Sequence, residues 1–149
     1  MQPRLNLAAT APGAMQALRG VSRYLRESGN LDHRLLELVF LRVSQINGCT
    51  FCLEMHTRLL REMGEAQERM DLVAGWREAP VFSEREKAAL AWAEALTHVS
   101  ATHAPDEIWA EVRAAFSDQE LADLSVAVAQ INSWNRLMIG FRVPPTPRR

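Results

Sequence analysis

The sequence predicts a single all-α domain of six or seven helices. Helix punctuation is dense along the chain, and strand punctuation is nearly absent. Two Ser-x-x-Glu capping boxes, at Ser83–Glu86 and Ser117–Glu120, mark helix starts. Apolar residues recur at helical spacing between these starts and a series of glycine stops.

Residues 1–13 hold two prolines and little periodicity, so they are read as a loosely packed lead-in. A first helix is expected from about Ala14 to Ser28, with Leu18, Val21 and Leu25 on one face and Gly29 as its stop. Asp32 can cap the next, which carries Leu35, Leu36, Val39, Phe40 and Val43 and ends at the breaker pair Asn47-Gly48. A third starts at or near Cys49 and runs to Met63, closed by Gly64. A shorter helix holds Met70, Leu72, Val73 and Trp76, and Pro80 follows it. The first capping box opens a helix with Leu90, Ala93, Leu96 and Thr97. Pro105 suits the first position of a short helix to about Phe116. The second box opens a long apolar helix ending at Gly140. The domain is thus placed at 14–141, and the proline- and arginine-rich tail, 142–149, is non-helical.

The chain has 149 residues, 48% of them hydrophobic, and a net charge of −1. That length and composition suit one domain with a real core. The balanced charge argues against nucleic acid as a partner. No apolar run approaches the roughly 18–20 residues of a membrane-spanning helix, and the N-terminus is too weakly apolar for a secretory signal. The expected location is the cytoplasm. Two cysteines are too few for a disulfide-stapled secreted domain, and at C-x-x-C spacing they suggest redox chemistry or half a metal site.

The chemistry concentrates between Glu37 and His56. Cys49 and Cys52 are three apart at a helix start, so their sulfurs share a side and can form a disulfide. Unpaired N–H groups and the partial positive charge at the helix N-terminus favour thiolate over thiol. His56 lies four residues after Cys52, one turn on along the same face, where an imidazole can take and return the thiol proton. This favours Cys52 as the sulfur activated by His56 and Cys49 as its disulfide partner. Glu37, on the preceding helix, can fold back to orient the imidazole. Glu54 is nearer in sequence but points roughly 200° around the helix from Cys52.

These residues, a glutamate followed after eleven positions by C-x-x-C-x-x-x-H, closely resemble the core motif of the alkylhydroperoxidase D (AhpD)-like, or carboxymuconolactone decarboxylase, family. The segments Leu41–Cys49, Trp76–Glu86 and Ile131–Arg136 extend the resemblance over about residues 15–142. It implies an all-α AhpD-like bundle acting as a thiol-dependent peroxidase or disulfide reductase of antioxidant defence. Carried over, Cys52 attacks the peroxide, Cys49 resolves the sulfenic acid as a disulfide, and Glu37 and His56 relay protons. The resemblance also implies no bound cofactor or metal, and an external dithiol reductant, a protein-bound lipoyl group in alkylhydroperoxidase D itself. It implies a homo-oligomer, a dimer, trimer or hexamer. In alkylhydroperoxidase D a second histidine precedes the second cysteine. Phe51 stands there in this chain, which implies a shorter relay and a more apolar pocket. The superfamily's decarboxylases lack the cysteine pair, so decarboxylation is not expected.

Other readings of the same residues are two buried structural cysteines, or a zinc site from both cysteines, His56 and Glu37. A non-enzymatic redox sensor or structural oligomer is the alternative function. His33, His98 and His103 lack reactive company and read as structural or solvated. Trp76, Trp92 and Trp109 read as core or contact residues, and Trp134-Asn135-Arg136 as lining either the pocket or an interface.

Overall fold

Helix starts lie where side chains can satisfy the first free N–H groups. Asp32 accepts from the Leu35 N–H at 3.0 Å. Both capping boxes close reciprocally, Ser83 with Glu86 and Ser117 with Glu120. The computed structural model describes residues 2–145. Among these, α1 (Leu7–Thr10), α2 (Pro12–Glu27), α3 (His33–Asn47), α4 (Thr50–Glu62) and α5 (Gln67–Leu72) come first. A 3-10 turn (Val73–Gly75) leads on to α6 (Glu84–Thr97), α7 (Val99–Thr102), α8 (Asp106–Ala115) and α9 (Asp118–Gly140). The fold is an all-α, AhpD-like bundle, and no strand occurs among the described residues.

The longer helices answer to those expected, and the differences are local. The lead-in carries a helical turn of its own, α1, and α2 begins at Pro12 rather than Ala14. A proline at the first turn gives up an N–H that has no helical partner there. Both α1 and α7 are single turns, too short to show periodicity. The helix expected through Trp76 tightens into the 3-10 turn at Val73. Pro105 is the N-cap of α8 rather than its first residue, and its carbonyl accepts the Trp109 N–H. The tail's last residues, 146–149, lie outside the described residues. Among the described residues, no helix is long and apolar enough to cross a membrane.

Helix α3 sits at the centre and packs against α4, α6 and α9, while α2 lies on α9 and α8 on α6. A helix enclosed on several sides must be apolar on several sides. Leu35, Leu36, Leu38, Val39, Leu41 and Val43 are all buried accordingly. They serve two clusters. The larger gathers Val39 and Val43 with Leu25, Leu124, Val128 and Ile131. The smaller gathers Leu38 and Leu41 with Leu60, Val73, Trp76 and Leu90.

The turn between α3 and α4 positions the site. Gly48 adopts φ 69°, ψ 32°, a left-handed conformation that glycine enters without penalty. Its N–H returns to the Gln45 and Ser44 carbonyls, closing α3. One residue later Cys49 caps α4. The chain therefore reverses within a few residues, which lays the start of α4 and its thiols against α3.

Candidate active site

Glu37 and His56 meet across the α3–α4 interface. Each is only 4% exposed, and His56 Nδ1 lies 2.6 Å from Glu37 Oε2. An ionised carboxylate only accepts, so in that state Nδ1 carries the proton and Nε2 presents a lone pair. That Nε2 is buried and has no hydrogen-bond partner among the described residues. Phe40 packs on the imidazole at 5.2 Å between ring centroids. The pair is thus oriented from one side and open on the other.

The two sulfurs lie 2.7 Å apart as a reduced pair, each residue 1% exposed. Cys49 Sγ also accepts the Cys52 N–H at 3.4 Å, as an N-cap side chain does. The Cys52 side chain's hydrogen bond, joined by N–H groups of Cys52 and Phe51 and by Asn135, outweighs burial. Together they hold Cys49 down at about 7 against an ordinary 9.0. Cys52 is pushed up by its hydrogen bond with Cys49, by burial and by the Cys49 charge, with Asn135 and Ser44 opposing. Of the two thiols, Cys49 is thus the one that ionises first.

Asn135 is the polar anchor behind the thiols. It is fully buried on α9, donates to Ser44 Oγ at 3.1 Å and accepts from Asn47 Nδ2 at 2.9 Å. Asn47 also donates to Asn132 Oδ1 at 3.0 Å. These bonds tie α9 to the end of α3, just before the turn that carries the cysteines.

A cavity of about 830 Å³ opens over this constellation. Cys52, His56 and Glu37 line it together with Phe40, Phe51 and Met55. Its other walls come from α2, α9 and the N-terminal segment 3–8. Trp134 lines it too, with its indole N–H donating to Ser22 Oγ at 3.2 Å, while Asn135 and Arg136 are outside the lining. Cys49 faces instead a smaller groove beside Gly48, Met138 and Val143. The structure joins the four residues singled out in the sequence as two pairs, Cys49 with Cys52 and Glu37 with His56, and of the two thiols only Cys52 shares the large cavity with the Glu37–His56 pair. Phe51 lines it where the resemblance implies an apolar pocket.

Glu54 is not part of that lining and reaches Arg58 on its own helix at 3.6 Å. His33, His98 and His103 are exposed. Among the described residues no three of His, Cys, Asp and Glu converge to hold a metal ion. Trp76 and Trp92 are buried, and the half-exposed Trp109 stacks on Trp92 at 5.6 Å. The sequence reading did not single out Ser44, Phe40 or the arginines of α2. Their roles depend on which helices meet, and no local spacing announces that.

Comparison with known proteins bears on this arrangement. Residues 12–95 match the Carboxymuconolactone decarboxylase family. The chain belongs to that family. It is 37% identical over 141 residues to the uncharacterized protein YdfG of Bacillus subtilis, covering 95% of each chain. It is also similar to a crystal structure from Agrobacterium tumefaciens, of a protein of unknown function described as a candidate antioxidant defence protein AhpD. The identity is 40% and the TM-score 0.95, covering 99% of this chain and 100% of that one. The alkylhydroperoxidase AhpD core protein of Ralstonia eutropha, a peroxidase-related protein, shares the family's fold at 22% identity. Its TM-score is 0.80, over 93% of this chain and 74% of that one.

Proposed function

We propose that this member of the carboxymuconolactone decarboxylase family is a thiol-dependent peroxidase of antioxidant defence, reducing hydroperoxides with the Cys49–Cys52 pair. One observation carries the reading. His56, oriented by Glu37 and with its Nε2 unpartnered among the described residues, lines the same largely apolar cavity as Cys52. A buried imidazole held by a carboxylate, sharing a cavity with one sulfur of a reducible pair, is suited to the proton transfers of peroxide reduction.

The cavity and the thiol energetics favour different sulfurs, and access decides between them. Cys49 ionises more readily, but a peroxide in the large cavity meets Cys52. His56 Nε2 takes the Cys52 proton through a water in the cavity. The Cys52 thiolate attacks the outer peroxide oxygen, the O–O bond breaks, and the leaving alkoxide takes the proton from His56 to depart as an alcohol. Cys52 is now a sulfenic acid. The Cys49 thiolate attacks the Cys52 sulfur, an S–S bond forms, and hydroxide leaves and is protonated to water. The peroxide gains two electrons and the thiol pair loses two. An external dithiol, such as a lipoyl group, restores the pair by thiol–disulfide exchange. The site needs no bound cofactor for these steps.

The Agrobacterium protein's description as a candidate antioxidant defence protein supports the reading. The proposal includes assembly as a homo-oligomer, which light scattering checks. The functional test is peroxide consumption by the purified protein supplied with dihydrolipoamide or dithiothreitol. Catalytic turnover that disappears in Cys52→Ser and His56→Ala is the expected result. Absence of turnover, with the disulfide still forming once, would replace the enzyme with a redox switch.

A further inference from the structure

The charges around the cavity are one-sided. Its lining is mostly apolar, yet it includes Arg4, Arg19 and Arg26. The only carboxylate in the lining is Glu37, and that group is already engaged by His56. Elsewhere Arg42, Arg69, Arg77, Arg85 and Arg113 each hold an acidic side chain. Among the described residues none of the three cavity arginines does. Arg4 donates to the Gly140 carbonyl, and Arg26 Nε to the Ser22 carbonyl on its own helix. Both leave guanidinium N–H groups to spare.

Two of these arginines share one helix face. Arg19, Ser22 and Arg26 stand at i, i+3 and i+7 on α2, and all three line the cavity. Opposite them on α4, Cys52, Met55 and His56 line it from the reacting side. At about 830 Å³ the space is far larger than a small peroxide fills, and it sits within the range of roughly 300–1,000 Å³ typical of small-molecule sites. Such sites place a few polar groups in an apolar wall to fix orientation, and a guanidinium fork suits a carboxylate.

We propose that the cavity binds an amphipathic anion, a long apolar carboxylate. Its carboxylate pairs with Arg19 and Arg26, and its apolar body extends past Trp134 and Met138 toward Cys52. Given the peroxidase reading, on which this part rests, the natural substrate is a hydroperoxide of such an acid. The binding itself does not depend on that reading.

The test measures binding without turnover. Dodecanoate and dodecanamide, equal in length and differing in charge, are titrated calorimetrically into the reduced full-length protein. Dodecanoate is expected to bind with one-to-one stoichiometry and about tenfold more tightly than the amide, a difference of about 1.4 kcal/mol. The advantage is expected to shrink as salt rises. In the Arg19→Gln/Arg26→Gln protein it is expected to fall to about twofold or less, by the same relation. Arg23→Gln, at an arginine of the same helix exposed like Arg19 and Arg26 but outside the cavity lining, is expected to keep it. Circular dichroism confirms that each variant is folded. Equal binding of acid and amide by the wild type would overturn the proposal. So would a preference that survives the double substitution, or one lost equally in Arg23→Gln. Because no peroxide enters the measurement, failure of peroxidase turnover leaves this result intact.

Discussion

Glu37 on α3 and Glu94 on α6, the first buried and the second partly buried, are treated in opposite ways. Glu94 is saturated. Its Oε1 accepts from Arg42 Nε at 2.7 Å and from the Trp76 indole at 2.9 Å, and its Oε2 pairs with Arg77 at 2.6 Å. Arg77 in turn stacks on the Trp76 ring at 4.3 Å. The result is a clasp that ties α6 to α3 and to the segment after the 3-10 turn. Glu37 has one partner, His56, a residue of the cavity lining whose second nitrogen has no hydrogen-bond partner among the described residues. A closed network stabilises, whereas an open one keeps an atom for chemistry. Burial alone does not distinguish the two; the unpaired nitrogen at a cavity does.

The comparison is broken most severely by removing the sulfur that the open network serves. Cys52→Ser is expected to reduce peroxide turnover to background while the folded structure persists, as read by a coupled assay and circular dichroism. Next in size are the dyad substitutions. His56→Ala or Glu37→Gln is expected to lower kcat/KM by about 10² to 10⁴, the usual contribution of a positioned acid–base group. Glu94→Gln is expected to leave kcat/KM within about twofold, since it touches no reacting group.

The thiols themselves titrate. The pair gives up its first proton near about 7, at Cys49, two units below an ordinary thiol at 9.0. Thiolate forms as pH rises, so labelling of the reduced protein by iodoacetamide is expected to climb through about pH 7 and fade below it. Mass spectrometry locates the label. A midpoint near 9.0 would remove the activation.

Stability then separates the two carboxylates. Burial alone would push Glu94 up, but hydrogen bonds from Trp76, Arg42 and Arg77 outweigh it and hold the carboxyl below its ordinary 4.5. A carboxyl depressed in the folded state stabilises above its unfolded value and loses that contribution as pH falls. Wild-type stability is therefore expected to drop below about pH 4.5, and Glu94→Gln to flatten that drop. At neutral pH the same substitution is expected to cost about 2 kcal/mol in urea denaturation, the scale of hydrogen bonds to a charged group. The smallest effect is Arg77→Gln, which removes one ion pair to Glu94 from a largely exposed side chain and is expected to cost about 0.5 kcal/mol.

Much of this was legible in the sequence because it is local. Asp32, the two capping boxes and Gly48 act within a few residues of themselves, and the structure uses each as its spacing suggests. The thiols and His56 share one helix face by arithmetic alone, and Glu37 needs only the tight turn at Gly48 to meet them. What the sequence did not yield depends on distant segments. Segment 3–8 looked like a loose lead-in, yet it lines the cavity and Arg4 binds back to Gly140 and Phe141. Asn135 and Ser44 become neighbours only when α9 crosses α3, 91 positions apart in the chain. Arg19 and Arg26 look like ordinary solvated charges until α2 is seen to wall the cavity.

The central claim is that Cys52, the sulfur at the cavity, is the one that peroxide oxidises. The direct measurement exposes reduced Cys49→Ser and Cys52→Ser proteins to one equivalent of hydroperoxide with dimedone present and maps adducts by mass spectrometry. The account predicts a sulfenic acid adduct on Cys52 in the first protein and none on Cys49 in the second. An adduct on Cys49 in Cys52→Ser, with none on Cys52 in Cys49→Ser, would contradict it and make the low-pKa sulfur the nucleophile.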